Sequence, residues 1–290
     1  MTATAEALKP KDYKSDIRPV WCPGCGDYGV LNGVQSAFAA LKLDLYNTVC
    51  VSGIGCSSRL PYFLKTYGFH SLHGRSLPCA TGIKLANPSL EVVVFGGDGD
   101  LFSIGGGHFP HVARKNTDLT CIMMDNHIYG LTKGQVSPTS NTGMVAATTP
   151  FGSPDPASVN PLAYALTYGA TFVAQAFSGN PKQLAEIIQQ AITHKGFSYV
   201  NVISPCLTFN KVDTFDFYKD AFVELPADHD NSKLVPALDK AMNPPAGKVY
   251  SGIFFKTQRP TLLENLGKLK QRAGANKNRD LNKVIDEFKP

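Results

Sequence analysis

The sequence predicts an α/β fold, a mostly parallel sheet with helices on both faces. Three observations lead there. Short apolar runs at Asn47–Ser52, Glu91–Phe95, Leu119–Met124, Thr171–Ala174 and Tyr199–Ser204 are continuous rather than alternating, as strands buried on both faces read. Segments with helical spacing of apolar residues separate those runs, so strands and helices alternate along the chain. Several runs stop abruptly in glycine, acidic or amide residues, most sharply in VVVFGGDGD (92–100). Open α/β sheets bind ligands at the carboxyl ends of their strands, which is where those residues would stand.

The elements follow in order. Residues 1–18 read as an extended arm and WCPGCGD (21–27) as a compact loop. Val30, Leu31, Val34, Phe38 and Leu41 predict a helix over Tyr28–Lys42. The strand Asn47–Ser52 ends in GIGCSS (53–58), a glycine-rich turn of the kind that presents backbone N–H groups to anions. Phe69–Arg75 is a loop or short strand, and a helix over Ala80–Ala86 stops at Asn87, before Pro88. Glu91–Phe95 follows, then Gly105–Gly107 leads into a helix ending near Lys115. Leu119–Met124 ends in Asp125 and Asn126 and opens a long loop, Asn126–Asp155; loops of this length inside a compact domain are usually functional. A helix at Pro161–Tyr168 and a strand at Thr171–Ala174 come next. Asn180 and Pro181 cap and open a helix running to His194, and the strand Tyr199–Ser204 ends at Pro205 and Cys206. Beyond residue 207 the pattern loosens, with a late strand at Val249–Phe255. Arg259–Pro290 is helical in pattern and basic, through Lys268, Lys270, Arg272, Lys277, Arg279 and Lys283. By composition it is a solvated face, and a cover for a partner is its other reading. The expected organisation is an α/β domain over 1–207 and an extension over 208–290 that packs on it or on a partner.

Composition narrows the function. The chain has 290 residues, 43% of them hydrophobic and 18% charged, as in a globular enzyme. A net charge of +5 suits an acidic partner. No basic patch interleaved with aromatics occurs in the first two hundred residues, so nucleic acid is not an expected ligand. Met1–Pro19 lacks an apolar signal region and no apolar stretch reaches membrane-spanning length, so a soluble, cytoplasmic protein with no membrane partner is expected. The seven cysteines of such a chain are metal ligands, catalytic groups or core residues rather than disulfides.

Two chemistries stand out. The strand ends at Asp98 and at Asp125–Asn126 offer a carboxylate and an amide oxygen, hard ligands suited to Mg²⁺. Cys22 and Cys25 form one C-x-x-C pair with no second pair to complete a zinc ribbon. Cys56 and Cys206, each at a strand end on the same sheet edge as Asp98, are the single cysteines placed to complete a site. Cys50 and Cys121 sit inside strands as small hydrophobes, and Cys79 fits neither group. Four thiolates suit zinc or an iron–sulfur cluster, and ligand softness does not choose between them.

Taken together, these motifs resemble the thiamine-pyrophosphate-binding β subunit of 2-oxoacid:ferredoxin oxidoreductases over residues of about 18 to 260. The resemblance is carried by WCPGCGDYG (21–29), SGIGCSS (52–58), HGR (73–75), FGGDGD (95–100), DNHIYGLTKGQVSPT (125–139) and SPC (204–206). It implies a thiamine-diphosphate-binding fold and a 4Fe-4S cluster on Cys22, Cys25, Cys56 and Cys206. It also implies Mg²⁺ on Asp98, Asn126 and the carbonyl of Ile128, and thiamine pyrophosphate against Ile54, Gly55, Cys56, Ser57, His73, Gly97, Gly99 and Asp100. Lys133 is the residue expected to meet the substrate carboxylate, with His73 as the other catalytic candidate. The implied reaction is coenzyme A-dependent oxidative decarboxylation of a 2-oxoacid, reversible as reductive carboxylation, with electrons passing to ferredoxin. A chain of this length has room only for the diphosphate-binding domain, so an α subunit with the pyrimidine-binding domain and its activating glutamate is an expected partner. The loop GLTKGQVSPTSNTGM (130–144) looks most like that of the 2-oxoglutarate-type or broad-specificity two-subunit enzymes, so 2-oxoglutarate is the favoured substrate, with pyruvate as the alternative. The rival readings are a non-redox thiamine-dependent decarboxylase or carboligase subunit, and a zinc-stapled scaffold without enzymatic activity.

Overall fold

A computed structural model describes residues 8–154, 157–274 and 280–289. Residues 1–7 of the predicted arm, Asp155 at the end of the long loop, and Lys277, Arg279 and Pro290 of the basic tail lie outside the described residues.

The predicted strands are present as Thr48–Ser52 (β1), Glu91–Gly97 (β3), Leu119–Asp125 (β4), Phe172–Phe177 (β5) and Phe197–Ile203 (β6). Tyr67–His70 (β2), Phe222–Glu224 (β7) and Val249–Lys256 (β8) complete an eight-stranded sheet of order β2-β1-β3-β4-β6-β5-β8-β7. The first six strands pair in parallel; β8 runs antiparallel to β5, and β7 parallel to β8.

The continuous apolar runs have a simple cause. Val93, Phe95, Ile122 and Met124 point to one face, against Asp27–Leu41 (α1) and Pro181–Thr193 (α5). Val92, Val94, Cys121 and Met123 point to the other. They pack there against Ser76–Ala86 (α2), Phe109–Lys115 (α3), Pro161–Thr167 (α4) and Leu234–Met242 (α7). Neither face is left for polar residues. Cys50 and Cys121 are fully buried in these cores, and Cys79 packs at the margin of the second.

Some elements differ from expectation. The arm is pinned rather than simply extended: Pro10–Tyr13 forms a 3-10 turn, and Tyr13 is buried with its hydroxyl donating to the Leu43 carbonyl. The loop at Phe69 belongs to the edge strand β2, and α2 begins at Ser76, four residues before the apolar pattern shows it. Beyond residue 207 lie Phe215–Ala221 (α6), β7 and α7, pieces too short for periodicity to register. The basic tail contains Leu262–Gly274 (α8), with no buried residue, and Leu281–Asp286 (α9). Among the described residues, no helix is long and apolar enough to cross a membrane.

Candidate functional site

β1 and β3 are neighbours whose onward connections part, β1 to β2 on one side and β3 to β4 on the other. Such a parting opens a crevice at the carboxyl ends of the strands. The 53–58 turn enters it from β1 and the 97–100 turn from β3. Asp100 ties them together: its Oδ1 accepts the N–H of Ile54 at 3.0 Å and of Gly74 at 2.7 Å, and lies 2.7 Å from His73 Nδ1. Gly53 is required by this approach, because a Cβ there would fall 2.0 Å from Asp100 Oδ2.

Asp98 and Asp125 are 2% and 1% exposed. Thr139 Oγ1 lies 2.7 Å from Asp98 Oδ2 and 2.8 Å from Asp125 Oδ1. One hydroxyl proton serves one carboxylate at a time, so two buried anions are left short of positive charge. Burial, and then Asp125, hold the Asp98 carboxyl above the usual carboxylate range despite hydrogen bonds from Ser137 and Thr139. His127 supplies charge on the far side, with Nε2 3.5 Å from Asp125 Oδ1 and Nδ1 3.2 Å from Asp213 Oδ2. Burial opposes its charge, but the two carboxylates outweigh burial and keep the imidazole protonated well above its ordinary range. The remaining deficit at Asp98 fits a divalent cation. The Asn126 amide oxygen stands beside it, fixed at 3.0 Å from the Ile128 N–H in a tight turn.

The four predicted cluster cysteines also converge. They line a cavity of about 260 Å³ together with Arg59 and Lys133. A Cβ on Gly130 would stand 3.6 Å from Cys206 Sγ and 3.8 Å from Cys56 Sγ. Two backbone acceptors pin the loops in place: Trp21 Nε1 donates to the Cys56 carbonyl at 2.8 Å and Gly26 N–H to the Pro205 carbonyl at 3.1 Å. All seven cysteines are free thiols. Burial pushes the Cys56 thiol up to about 11, with Asp27 and Cys206 adding to it, and raises Cys25 further still. Thiols crowded in this way ionise readily only against a positive centre, which is what an iron cluster provides. Among the described residues no three His, Cys, Asp or Glu side chains are grouped to hold a single metal ion. The four cysteines thus share one cavity.

A second, smaller cavity of about 120 Å³ is lined by Ile54, Gly55, Cys56, Ser57, His73, Gly97, Asp98, Gly99, Asp100, Asn126 and Ile128, the full set expected around thiamine pyrophosphate. The two cavities share Cys56, Asn126, Gly130 and Leu131 as a common wall. Lys133 is exposed and lines the cysteine cavity, not the smaller one. Arg59, Thr139, His127, Tyr129, Asp27 and Asp213 belong to the site without having been expected in it. Arg59 directly follows the GCSS turn, and Thr139, His127 and Tyr129 lie within DNHIYGLTKGQVSPT, so proximity to a motif is the signal they carry. Asp213 carries none. Tyr129 closes the wall by donating its hydroxyl to the Gly99 carbonyl at 3.2 Å. Asp27 is buried beside the cysteines and hydrogen-bonds Cys25 and Ser204, the Ser204 Oγ donating at 2.7 Å. A larger cavity of about 310 Å³ lies behind Asp125 and His127, between Tyr218 and Tyr250.

Residues 53–202 match the family of the thiamine pyrophosphate enzyme, C-terminal TPP binding domain. Residues 206–271 match the family formed by the C-terminal part of the pyruvate ferredoxin oxidoreductase beta subunit. The chain is 49% identical over 216 residues to the 2-oxoacid:ferredoxin oxidoreductase 1 subunit beta of Aeropyrum pernix, covering 74% of this chain and 68% of that one. It is 39% identical over 268 residues to the 2-oxoglutarate synthase subunit KorB of Methanocaldococcus jannaschii, covering 89% and 96%. A solved structure, the 2-oxoglutarate:ferredoxin oxidoreductase from Magnetococcus marinus with 2-oxoglutarate, coenzyme A and succinyl-CoA bound, superposes with a TM-score of 0.92 at 55% identity. That superposition covers 99% of this chain and 98% of that chain.

Proposed function

The chain belongs to the β subunits of the 2-oxoacid:ferredoxin oxidoreductases, and from that premise we propose that it serves a cytoplasmic enzyme converting 2-oxoglutarate and coenzyme A to succinyl-CoA and CO₂. The two electrons released leave singly for ferredoxin, and the reaction is reversible. The observation that carries this reading is the common wall: a carboxylate–amide site and a four-thiol site meet at Cys56, Asn126, Gly130 and Leu131. A non-redox thiamine enzyme has no use for the second site, and a zinc-stapled scaffold none for the first. The Magnetococcus structure holds the substrate, the co-substrate and the acyl-CoA product named here.

When bound, thiamine pyrophosphate supplies a carbanion for the keto carbon and an electron sink as CO₂ leaves, and a 4Fe-4S cluster accepts single electrons. This chain's residues hold and orient both groups. Asp98, Asn126 and the Ile128 carbonyl would hold Mg²⁺ against the diphosphate, and Cys22, Cys25, Cys56 and Cys206 would hold the cluster. Asp100 braces the backbone of Ile54, in the wall of the diphosphate pocket, and of Gly74, next to His73 in that wall. His73, fixed on Asp100, stands in the same wall. Lys133 and Arg59 line the cysteine cavity, which shares a wall with the diphosphate cavity, and two cations beside that wall suit a substrate that carries two carboxylates.

The diphosphate cavity, about 120 Å³, is well below the roughly 300–1,000 Å³ of a complete ligand pocket. Leu72, next to His73 of its wall, and Ile104 are both exposed, with an Ile104 methyl 2.7 Å from where a Cβ on Gly74 would stand. An α subunit that brings the pyrimidine-binding domain and activating glutamate would close the pocket over these side chains. Residues 208–290 then act as an extension whose β8 completes the sheet while α8 remains open to a partner.

The test is a panel of 2-oxoacids with the assembled αβ complex, coenzyme A and a viologen acceptor. The highest kcat/KM for 2-oxoglutarate supports the proposal, and a higher one for pyruvate overturns the substrate. Turnover by the isolated chain would overturn the need for the α subunit.

A further inference from the structure

We propose that the surface around Cys22 is the docking face for a small acidic electron-carrier protein. The inference rests on the cluster reading of the four cysteines and names where its electrons leave the molecule. Cys22 is exposed, whereas Cys25, Cys56 and Cys206 are half-buried, so the thiol site approaches solvent on the Cys22 side. Electron transfer weakens steeply with distance, and a carrier seated here meets the shortest route out.

The surface has the composition of a transient redox interface. Val20 and Val212 are both 62% exposed and Ile17 is 53% exposed; between them lie Leu207 and Phe209, which line the cysteine cavity. A Cβ on Gly24 would touch Leu207 Cδ1 at 3.0 Å, and Val20, Cys22, Leu207 and Phe209 line one cavity, so the chain at 20–24 meets the chain at 206–209. Solvated side chains this large and apolar, gathered at a redox centre, are the core of a contact patch. The rim is basic. Arg18 and Lys211 are exposed, Asp16 is the one carboxylate among residues 16–24 and 206–212, and Arg59 and Lys133 line the cysteine cavity. An apolar centre with a cationic rim selects a partner bearing carboxylates around its own redox centre, which speeds encounter without demanding tight binding. The segment leading to Arg18 is tied to the 57–63 turn by the Ser15 N–H to Phe63 carbonyl bond at 3.1 Å and by Ser15 Oγ to the Tyr62 carbonyl at 2.6 Å. The rim is therefore fixed relative to the cysteines.

The experiment reverses the rim charges in the αβ complex, Arg18→Glu and Lys211→Glu, singly and together, with Lys115→Glu on α3 as control. An acidic ferredoxin and methyl viologen are compared as acceptors at low and high salt. The expected result is a KM for the ferredoxin raised about fivefold by each change at low salt, and converging with the unaltered enzyme at high salt. The viologen rate, the KM for the 2-oxoacid and the reduced-cluster EPR signal stay unchanged. An unaltered ferredoxin KM in the double variant overturns the docking face, and the viologen rate and EPR signal then show that the cluster reading survives. Failure of the α subunit to co-purify with the double variant also overturns it, because the face then belongs to that subunit.

Discussion

His127 Nδ1 lies 3.2 Å from Asp213 Oδ2 across 86 residues of chain, and that contact ties the Asp125–Ile128 turn to the segment following Cys206. The turn is held on three sides. Asp213 is positioned by Asn210 and Asn141, Asn210 also donates to the Asn126 carbonyl at 3.2 Å, and Ser140 Oγ donates to the His127 carbonyl at 2.6 Å. His127 takes a left-handed backbone, φ 56°, so that its neighbours Asn126 and Ile128 face the diphosphate cavity while its own ring faces away.

His127→Leu should leave Asp125 and Asp213 buried without a counter-charge, costing about 3–5 kcal/mol of stability. Asp213→Asn keeps its amide partners and should cost about 1–3 kcal/mol. Urea midpoints of the purified chain check both. A Leu variant as stable as the parent would remove His127 from this role.

His194 predicts an acid-sensitive core. Burial, and then Lys256, lower it to about 4, and its Nε2 lies 2.9 Å from Thr171 Oγ1. A histidine lowered in the folded state is held neutral there and binds protons more readily unfolded. Stability is therefore full above the unfolded value of 6.5 and declines as pH falls toward 4. Between pH 7 and pH 5 the loss from this residue is about 2 kcal/mol. Urea midpoints at the two pH values measure it, and His194→Gln should remove most of the difference. An equal drop in the variant would assign the sensitivity elsewhere.

The parts of the site that could be read from the sequence are those whose chemistry is local. The run 92–95, the 97–100 turn and the Asn126 junction each announce themselves within a few residues, since strand, turn and ligand type are adjacent choices. The gathering of Cys22, Cys25, Cys56 and Cys206 was legible because each sits at a strand end or loop on one sheet edge. Partnerships between distant residues were not legible. Nothing near Asp213 marks it as the counter-ion of His127, and the motif that contains Thr139 does not show that its hydroxyl stands between Asp98 and Asp125. The three-residue β7 and seven-residue α6 are shorter than the window in which a period can be recognised, so tertiary pairing with β8 decides them.

Arg59 predicts a specificity effect. It lines the same cavity as Lys133, and under the proposed function Lys133 would serve the carboxylate common to all 2-oxoacids. Arg59→Leu should raise the KM for 2-oxoglutarate about ten- to a hundredfold, the equivalent of one charged hydrogen bond of about 1.5–3 kcal/mol. The KM for a monocarboxylic 2-oxoacid should move less than about twofold if Lys133 alone serves it. Equal effects on both substrates, measured in the αβ complex, would show that Arg59 does not read the second carboxylate.

Asp98 and Cys206 separate the two sites. Asp98 is a buried carboxylate facing Asp125 with one shared hydroxyl between them, so Asp98→Ala removes repulsion as well as a hydrogen bond and should fold with little change in stability. It should lose Mg²⁺-dependent thiamine pyrophosphate while keeping iron and the visible absorbance that dithionite bleaches. Cys206→Ala should do the reverse, retaining thiamine pyrophosphate and losing the cluster. Cofactor extraction and iron analysis on the anaerobically purified complex read both. The common wall through Cys56, Asn126 and Gly130 sets the limit of this independence: if either variant lost both groups while remaining folded, the two cavities would act as a single cooperative site.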